Sequence, residues 1–302
     1  MRAVGICETD VHITLRDPAA QPRIMGHEWS GVVEEAPSVQ GVRRGSRVVG
    51  EGMVYCGACR MCLKGKVNLC DSYREIGFSL PGAYAEYLTV PARNLHEIPP
   101  SMTFEQAAMV EPTAVALHAL QLSGICAHDS LAVLGPGPIG LLAIQIASAK
   151  GAAPIVLTGT RENRLSLGSK LGADKTINVT QTDPVQGVRR ETGGGPDIVL
   201  DAAGTRSSFD QAVRMVRKGG TVVLVGGWEG VEFEPGVLIA KEMTLKGSLA
   251  SPRAWRESIE LVSSGRVKVE PLITHRFRLT EIAQAFDVVQ RKQDVIKAIV
   301  LP

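Results

Sequence analysis

Leu131-Ala132-Val133-Leu134-Gly135-Pro136-Gly137-Pro138-Ile139-Gly140 decides the fold. Ser130–Leu134 is an apolar strand, the glycines are a turn, and Pro138–Lys150 has the apolar content of a buried helix. G-x-G-x-x-G is weak evidence alone. Between a strand and a helix it reads as a dinucleotide-binding fingerprint. Gly135 then makes the turn, Gly137 lets a pyrophosphate approach, and Gly140 packs helix against strand. The helix N-terminus, beginning at Pro138 and Ile139, then faces phosphate.

On both sides of this stretch the pattern alternates. Pro154–Thr158, Asp197–Asp201 and Thr221–Val225 read as strands, while Glu162–Leu171 and Ser207–Val216 read as helices. Such alternation predicts a parallel, doubly wound sheet in an α/β fold. Gly204, Gly226 and Gly227 follow later strands, at the end where ligands bind in open α/β sheets. The second strand runs into Gly159-Thr160-Arg161. An acid there would bind a ribose 2′-hydroxyl. Gly159 takes that place, and Arg161 beside it suits a 2′-phosphate, so NADP is expected over NAD. An ordinary turn with a solvated arginine, and a ribose contact from Glu162, stay open.

The flanks differ in character. Residues 1–100 hold short β-type runs at Gly31–Glu34, Arg47–Gly50 and Ala83–Val90. Thr103–Leu120 has helical spacing, with a kink or restart expected at Pro112. Two helices, Arg253–Ser263 and Thr280–Gln290, precede a closing strand Lys297–Leu301. The expected domains are 1–114 with 250–302, and 115–249. At 302 residues and a formal charge of +2, the chain suits two domains and offers no electrostatic case for nucleic acid or an anionic membrane. No targeting segment or membrane span is read, which makes the cytoplasm the expected location.

Cys56, Cys59, Cys62 and Cys70 form C-x2-C-x2-C-x7-C, a spacing that can close a tetrahedral structural zinc shell. Gly57 and Gly65 permit the turns it needs. Four free cysteines or an iron–sulfur loop are the alternatives. Near the start lie Cys7-Glu8-Thr9-Asp10-Val11-His12 and then Gly26-His27-Glu28. Cysteine, histidine and carboxylate make a sensible open zinc set, with Asp10 placed to orient His27 from behind. By spacing alone this pairing is weak.

Taken in order, C-x-T-D-x-H, G-H-E, the four-cysteine loop and G-x-G-x-x-G resemble the medium-chain zinc-dependent alcohol dehydrogenases. The likeness is greatest to the sorbitol and threonine dehydrogenase branch. It spans nearly the whole chain, including Gly82–Tyr87, Val110–Ala119 and Leu171–Asp174. The resemblance implies a GroES-like, β-rich catalytic domain, here N-terminally short, and a Rossmann coenzyme domain. It implies Cys7 and His27 as catalytic zinc ligands. Glu28 or Glu111 would add a carboxylate, and the sequence leaves that choice open. Thr9 would touch the substrate oxygen, and His12 would end the proton relay. Zinc lowers the alcohol pKa, Thr9 and His12 lead the proton outward, and hydride passes to the nicotinamide. Glu8 departs from the family, where a basic residue often meets the pyrophosphate; it is expected to point away. The Gly159-Thr160-Arg161 triplet also resembles NADP-using members.

The expected function is therefore zinc-dependent oxidation of a secondary alcohol, polyol or sugar-derived, by a homodimer or homotetramer. L-threonine dehydrogenase activity is the second reading. The third is a truncated, non-catalytic nucleotide-binding chain. Ala3–Cys7 reads as the end of a strand whose beginning is absent; under the third reading that loss would expose a sheet edge, while a misplaced start, with a longer true protein, is the expectation preferred.

Overall fold

The computed structural model describes residues 1–16, 24–36, 42–226, 230–291 and 294–302. Gly227 lies outside them. In chain order the strands are β1 (Ala3–Gly5), β2 (Glu28–Val32), β3 (Arg47–Gly50), β4 (Met53–Val54), β5 (Arg74–Glu75), β6 (Leu95–Glu97), β7 (Leu131–Leu134), β8 (Ile155–Gly159), β9 (Lys175–Asn178), β10 (Ile198–Asp201), β11 (Thr221–Leu224), β12 (Thr244–Gly247), β13 (Ile273–Arg278) and β14 (Lys297–Leu301). They divide between two compact units. One comprises Met1–Ala114, Ala250–Gly265 and Val269–Pro302; the other comprises Val115–Leu249 and Arg266–Lys268.

The second unit is built on a six-stranded sheet of order β12-β11-β10-β7-β8-β9, parallel throughout. Counting from β7 this is the order 3-2-1-4-5-6, reversing between β7 and β10, where ligands enter such sheets. β7 and β10 are buried along their whole length, as a sheet covered on both faces requires. Val156, Val199, Phe209, Val213 and Val222 share one core cluster between sheet and helices. Residues 266–268 dock here because Gln145 pairs reciprocally with Lys268, accepting from its N at 2.8 Å and donating to its carbonyl at 3.2 Å.

In the first unit a six-stranded sheet runs β13-β14-β1-β2-β3-β6. β1 pairs with β2 on one side and β14 on the other, both antiparallel. Val4, Trp29, Val48 and Ala83 form a core cluster on this sheet.

Two local expectations change. Ala83–Val90 is not a strand; Gly82, Ala83 and Tyr84 instead donate to the carbonyls of Ile24, Gly26 and Met25 at 2.8–2.9 Å. The helical stretch breaks at Met109, between Phe104–Ala108 and Val110–Ser123, and not at Pro112. Pro112 lies in the first turn of the second helix, where a missing N–H costs nothing. Thr103 and Gln106 close a capping box on the first.

Candidate zinc and coenzyme sites

The four-cysteine loop brings its sulfurs together. All four lie within 4.8 Å of one another. Cys56 Sγ stands 4.0 Å from Cys62 Sγ and 3.6 Å from Cys70 Sγ. A tetrahedral shell with Zn–S near 2.3 Å places sulfurs roughly 3.8 Å apart, so the loop fits zinc. Gly57 and Gly65 both hold positive φ, at 77° and 71°. Backbone N–H groups of Ala58 and Cys59 point at Cys56 Sγ, at 3.4 and 3.3 Å. Such donors favour thiolate. N–H groups of Cys62 and Asp71 lower Cys59 to about 6, whereas burial pushes Cys62 up to about 12.

A second set gathers at the edge of β1 and β2. Cys7 ends the loop after β1, His27 precedes β2, and Glu28 begins it; their ligand atoms lie within 4.8 Å of one another. His27 and Glu28 are buried. Asp10, on the helix Glu8–Arg16, is fully buried and faces His27, with Oδ1 3.4 Å from Nδ1. A metal-binding histidine usually has such a carboxylate on its other nitrogen. Burial alone would lower the His27 pKa, but Asp10 and Cys7 outweigh it and hold the value well above the usual one. A pocket that so favours a proton also favours a dication. The donor set of thiolate, imidazole and carboxylate is zinc's.

Glu111 does not belong to this triplet, though it lies within its field. Burial pushes it up to about 8, Glu28 and Glu75 add to the rise, and His27 and Lys297 oppose it. Thr9 and His12 lie three apart on one helix, so they share a side of it. Glu8 does not stand idle, since its Oε1 is 3.4 Å from His12 Nε2.

Sequence reasoning missed two groups here. Lys297 is buried and donates to both Glu28 oxygens at 2.7 Å and to the Ile6 carbonyl at 3.0 Å. One lysine in an otherwise apolar strand was its signal. Tyr84 donates to Asp10 Oδ2 at 2.7 Å. Burial, reinforced by Asp10, raises its pKa well above the usual tyrosine value, so it stays protonated.

In the second unit two of the fingerprint glycines have a steric reason within the protein. Gly135 has φ +100°, and a Cβ there would meet Ala203 at 3.0 Å; one on Gly140 would meet the Gly135 carbonyl at 2.0 Å. Gly137 faces open space and starts the helix without a side-chain cap, leaving N–H groups for a ligand. Pro138 takes the first-turn place that suits it, and Ile139 follows. A Cβ on Gly226 would meet Gly204 Cα at 3.0 Å, so those two loops touch. Asp201 Oδ1 holds the Gly204 loop by accepting from Ala203 and Gly204 N.

A Cβ on Gly159 would meet Pro136 Cδ at 2.4 Å, which closes that position to a carboxylate. Thr160 is exposed, and Arg161 Nη1 is buried with no hydrogen-bond partner among the described residues. Glu162 is engaged, accepting from Asn178 Nδ2 at 3.2 Å.

Residues 1–100 match the model of the alcohol dehydrogenase GroES-like domain, and residues 138–264 that of the zinc-binding dehydrogenase. The L-threonine 3-dehydrogenase of Bacillus licheniformis is 34% identical, over all of this chain and 90% of its own. The chain belongs to the zinc-dependent medium-chain alcohol dehydrogenases. It is thus an oxidoreductase of a family that uses zinc, on a GroES-like and Rossmann-type α/β framework. A structure from Sinorhizobium meliloti, described as a zinc-binding dehydrogenase bound to NADP, superposes with TM-score 0.92 at 35% identity, covering 100% of this chain and 90% of that one. The 2R,3R-butanediol dehydrogenase of Bacillus subtilis gives 0.90 at 31%, with coverage of 100% and 90%. Among the described residues no helix is long and apolar enough to cross a membrane.

Proposed function

We propose that this dehydrogenase oxidises a secondary alcohol, polyol or sugar-derived, with NADP, and that Cys7, His27 and a carboxylate hold the zinc at which it does so. The Cys7–His27–Glu28 triplet, its histidine and glutamate buried and its histidine backed by Asp10, carries the reading. Bound there, zinc lowers the pKa of an alcohol, which makes hydride transfer to a nicotinamide possible at neutral pH. The Thr9 hydroxyl relays the alcohol proton, giving its own proton on towards His12 as it accepts one; His12 releases a proton to solvent, and Glu8 orients His12. Lys297 balances Glu28, leaving Glu111 as the carboxylate free to approach the metal, directly or through water.

In the coenzyme unit, Gly135, Gly137, Pro138, Ile139 and Gly140 cradle the pyrophosphate, while Gly204 and Gly226 line the nicotinamide side. Gly159, Thr160 and Arg161 receive the 2′-phosphate, supported by the closed Gly159 position and by an Arg161 Nη1 that has no hydrogen-bond partner among the described residues. The four-cysteine loop holds a second, structural zinc. The likeness to L-threonine 3-dehydrogenases supports L-threonine as a second substrate reading. We place the enzyme in the cytoplasm as a homodimer or homotetramer; its unbridged cysteines suit a reducing compartment.

The test is zinc per chain, measured beside NADP- and NAD-linked oxidation of a panel of polyols and L-threonine. Two zinc ions with NADP-linked polyol turnover are expected. Turnover of L-threonine alone moves the substrate assignment. One zinc and no turnover sinks the catalytic site.

A further inference from the structure

We propose that Tyr84 is a positioning residue for the catalytic zinc: its hydroxyl holds Asp10 so that Oδ1 is reserved for His27 Nδ1, presenting His27 Nε2 to the metal. This rests on the zinc reading of Cys7 and His27 above.

The two oxygens of Asp10 have different surroundings. Oδ2 accepts from the Tyr84 hydroxyl at 2.7 Å and from Cys7 N at 3.0 Å. Oδ1 makes no hydrogen bond within the described residues, and neither does His27 Nδ1, yet the two atoms face each other at 3.4 Å. Asp10 has no exposed surface, so water does not compete. The hydroxyl also lies 3.1 Å from the Gly5 carbonyl. It has one proton to give, and the closer, charged acceptor takes it.

Tyr84 is well held for this role. Its N–H donates to the Met25 carbonyl at 2.9 Å, and its ring lies against Gly26, where an added Cβ would meet it at 3.1 Å. Gly26 and Met25 lead directly into His27. Phe286 packs edge-to-face with the ring, with centroids 5.8 Å apart. One side chain therefore references the Cys7 loop, Asp10 and the His27 segment to each other. Without the hydroxyl, Oδ2 keeps only the Cys7 N–H, and the carboxylate can rotate away from His27.

Tyr84→Phe removes this one oxygen and keeps the ring packing. Zinc retention should be measured on the full chain by titrating with a chelator and counting metal per chain, and in parallel on Asp10→Asn and the double variant. The catalytic zinc should bind roughly 10-fold more weakly in Tyr84→Phe, the lower end of what partners behind a ligand contribute. The four-cysteine zinc should not change. Asp10→Asn should weaken the same ion, and adding Tyr84→Phe to it should cost nothing more. Unchanged affinity in Tyr84→Phe overturns the proposal, and so do additive losses. Loss of both ions together also overturns it, because the hydroxyl would then serve the fold. A wild-type chain with one zinc would instead sink the catalytic-site reading itself.

Discussion

Lys297 and Glu28 form an ion pair with 3% and 2% of their side chains exposed, Nζ donating to both carboxylate oxygens at 2.7 Å. Neither charge could stay there alone. Lys297→Met should therefore destabilise the first unit by about 3–5 kcal/mol, because it strands a buried carboxylate. Adding Glu28→Gln should recover most of that loss. Urea unfolding of the zinc-free chain reads both. A double variant no more stable than Lys297→Met would mean that packing, not charge, is what the lysine supplies.

The metal-free four-cysteine loop should react unevenly with a thiol reagent. The thiolate is the nucleophile. Cys59 sits at about 6, because N–H groups of Cys62 and Asp71 favour its anion, while burial holds Cys62 up at about 12. At pH 7 a short iodoacetamide pulse on chelator-stripped protein should label Cys59 first and Cys62 last, as mass spectrometry would show. Restored zinc should protect all four. Early labelling of Cys62 would contradict burial as the control on its thiol.

The reach of the sequence follows from what makes each feature. The parallel sheet was legible because β7, β8, β10 and β11 are short apolar runs set between turn-forming glycines, a local signal. The four-cysteine loop was legible because its ligands sit within fifteen residues of one another. Local chemistry also misled at Ala83–Val90, whose composition suits a strand but whose donors are taken by Ile24–Gly26. The Lys297–Glu28 pair joins residues 269 positions apart, and Tyr84 reaches Asp10 across 74. No window along the chain contains such contacts; sheet order creates the first, by laying β14 and β2 on either side of β1, and the bonds of Gly82–Tyr84 to Ile24–Gly26 bring about the second.

Acid should weaken the coenzyme unit through Asp197. Burial alone would raise this carboxyl, but Ser130 Oγ and N and the Arg217 guanidinium outweigh it and lower its pKa below the usual value. A carboxylate with a depressed folded pKa contributes stability that is present above its unfolded value, near 3.9, and lost as pH falls through the folded one. Asp197→Asn should thus be less stable than wild type at pH 7. The difference should shrink below about pH 4, where the wild-type group protonates as well. Thermal unfolding from pH 3 to 7 measures it. A difference constant across that range would remove Asp197 from the acid response.

Coenzyme choice can be tested one residue at a time at the end of β8. Arg161 Nη1 is buried without a partner among the described residues, an arrangement that costs stability unless something else meets it. A 2′-phosphate would meet it with a charge-assisted bond worth about 1.5–3 kcal/mol. Arg161→Ala should then raise the KM for NADP roughly 10- to 150-fold, at 1.36 kcal/mol per decade, and leave the KM for NAD nearly unchanged. Gly159→Asp, the obvious route to NAD, should do poorly on its own. Its Cβ would meet Pro136 Cδ at 2.4 Å, so the turn carrying Gly135 and Gly137 must move before an acid fits. Pairing it with Pro136→Ala relieves that clash, and the double variant should gain NAD-linked activity that Gly159→Asp lacks. Equal loss of NADP and NAD in Arg161→Ala would show that the arginine supports the turn and does not read the phosphate.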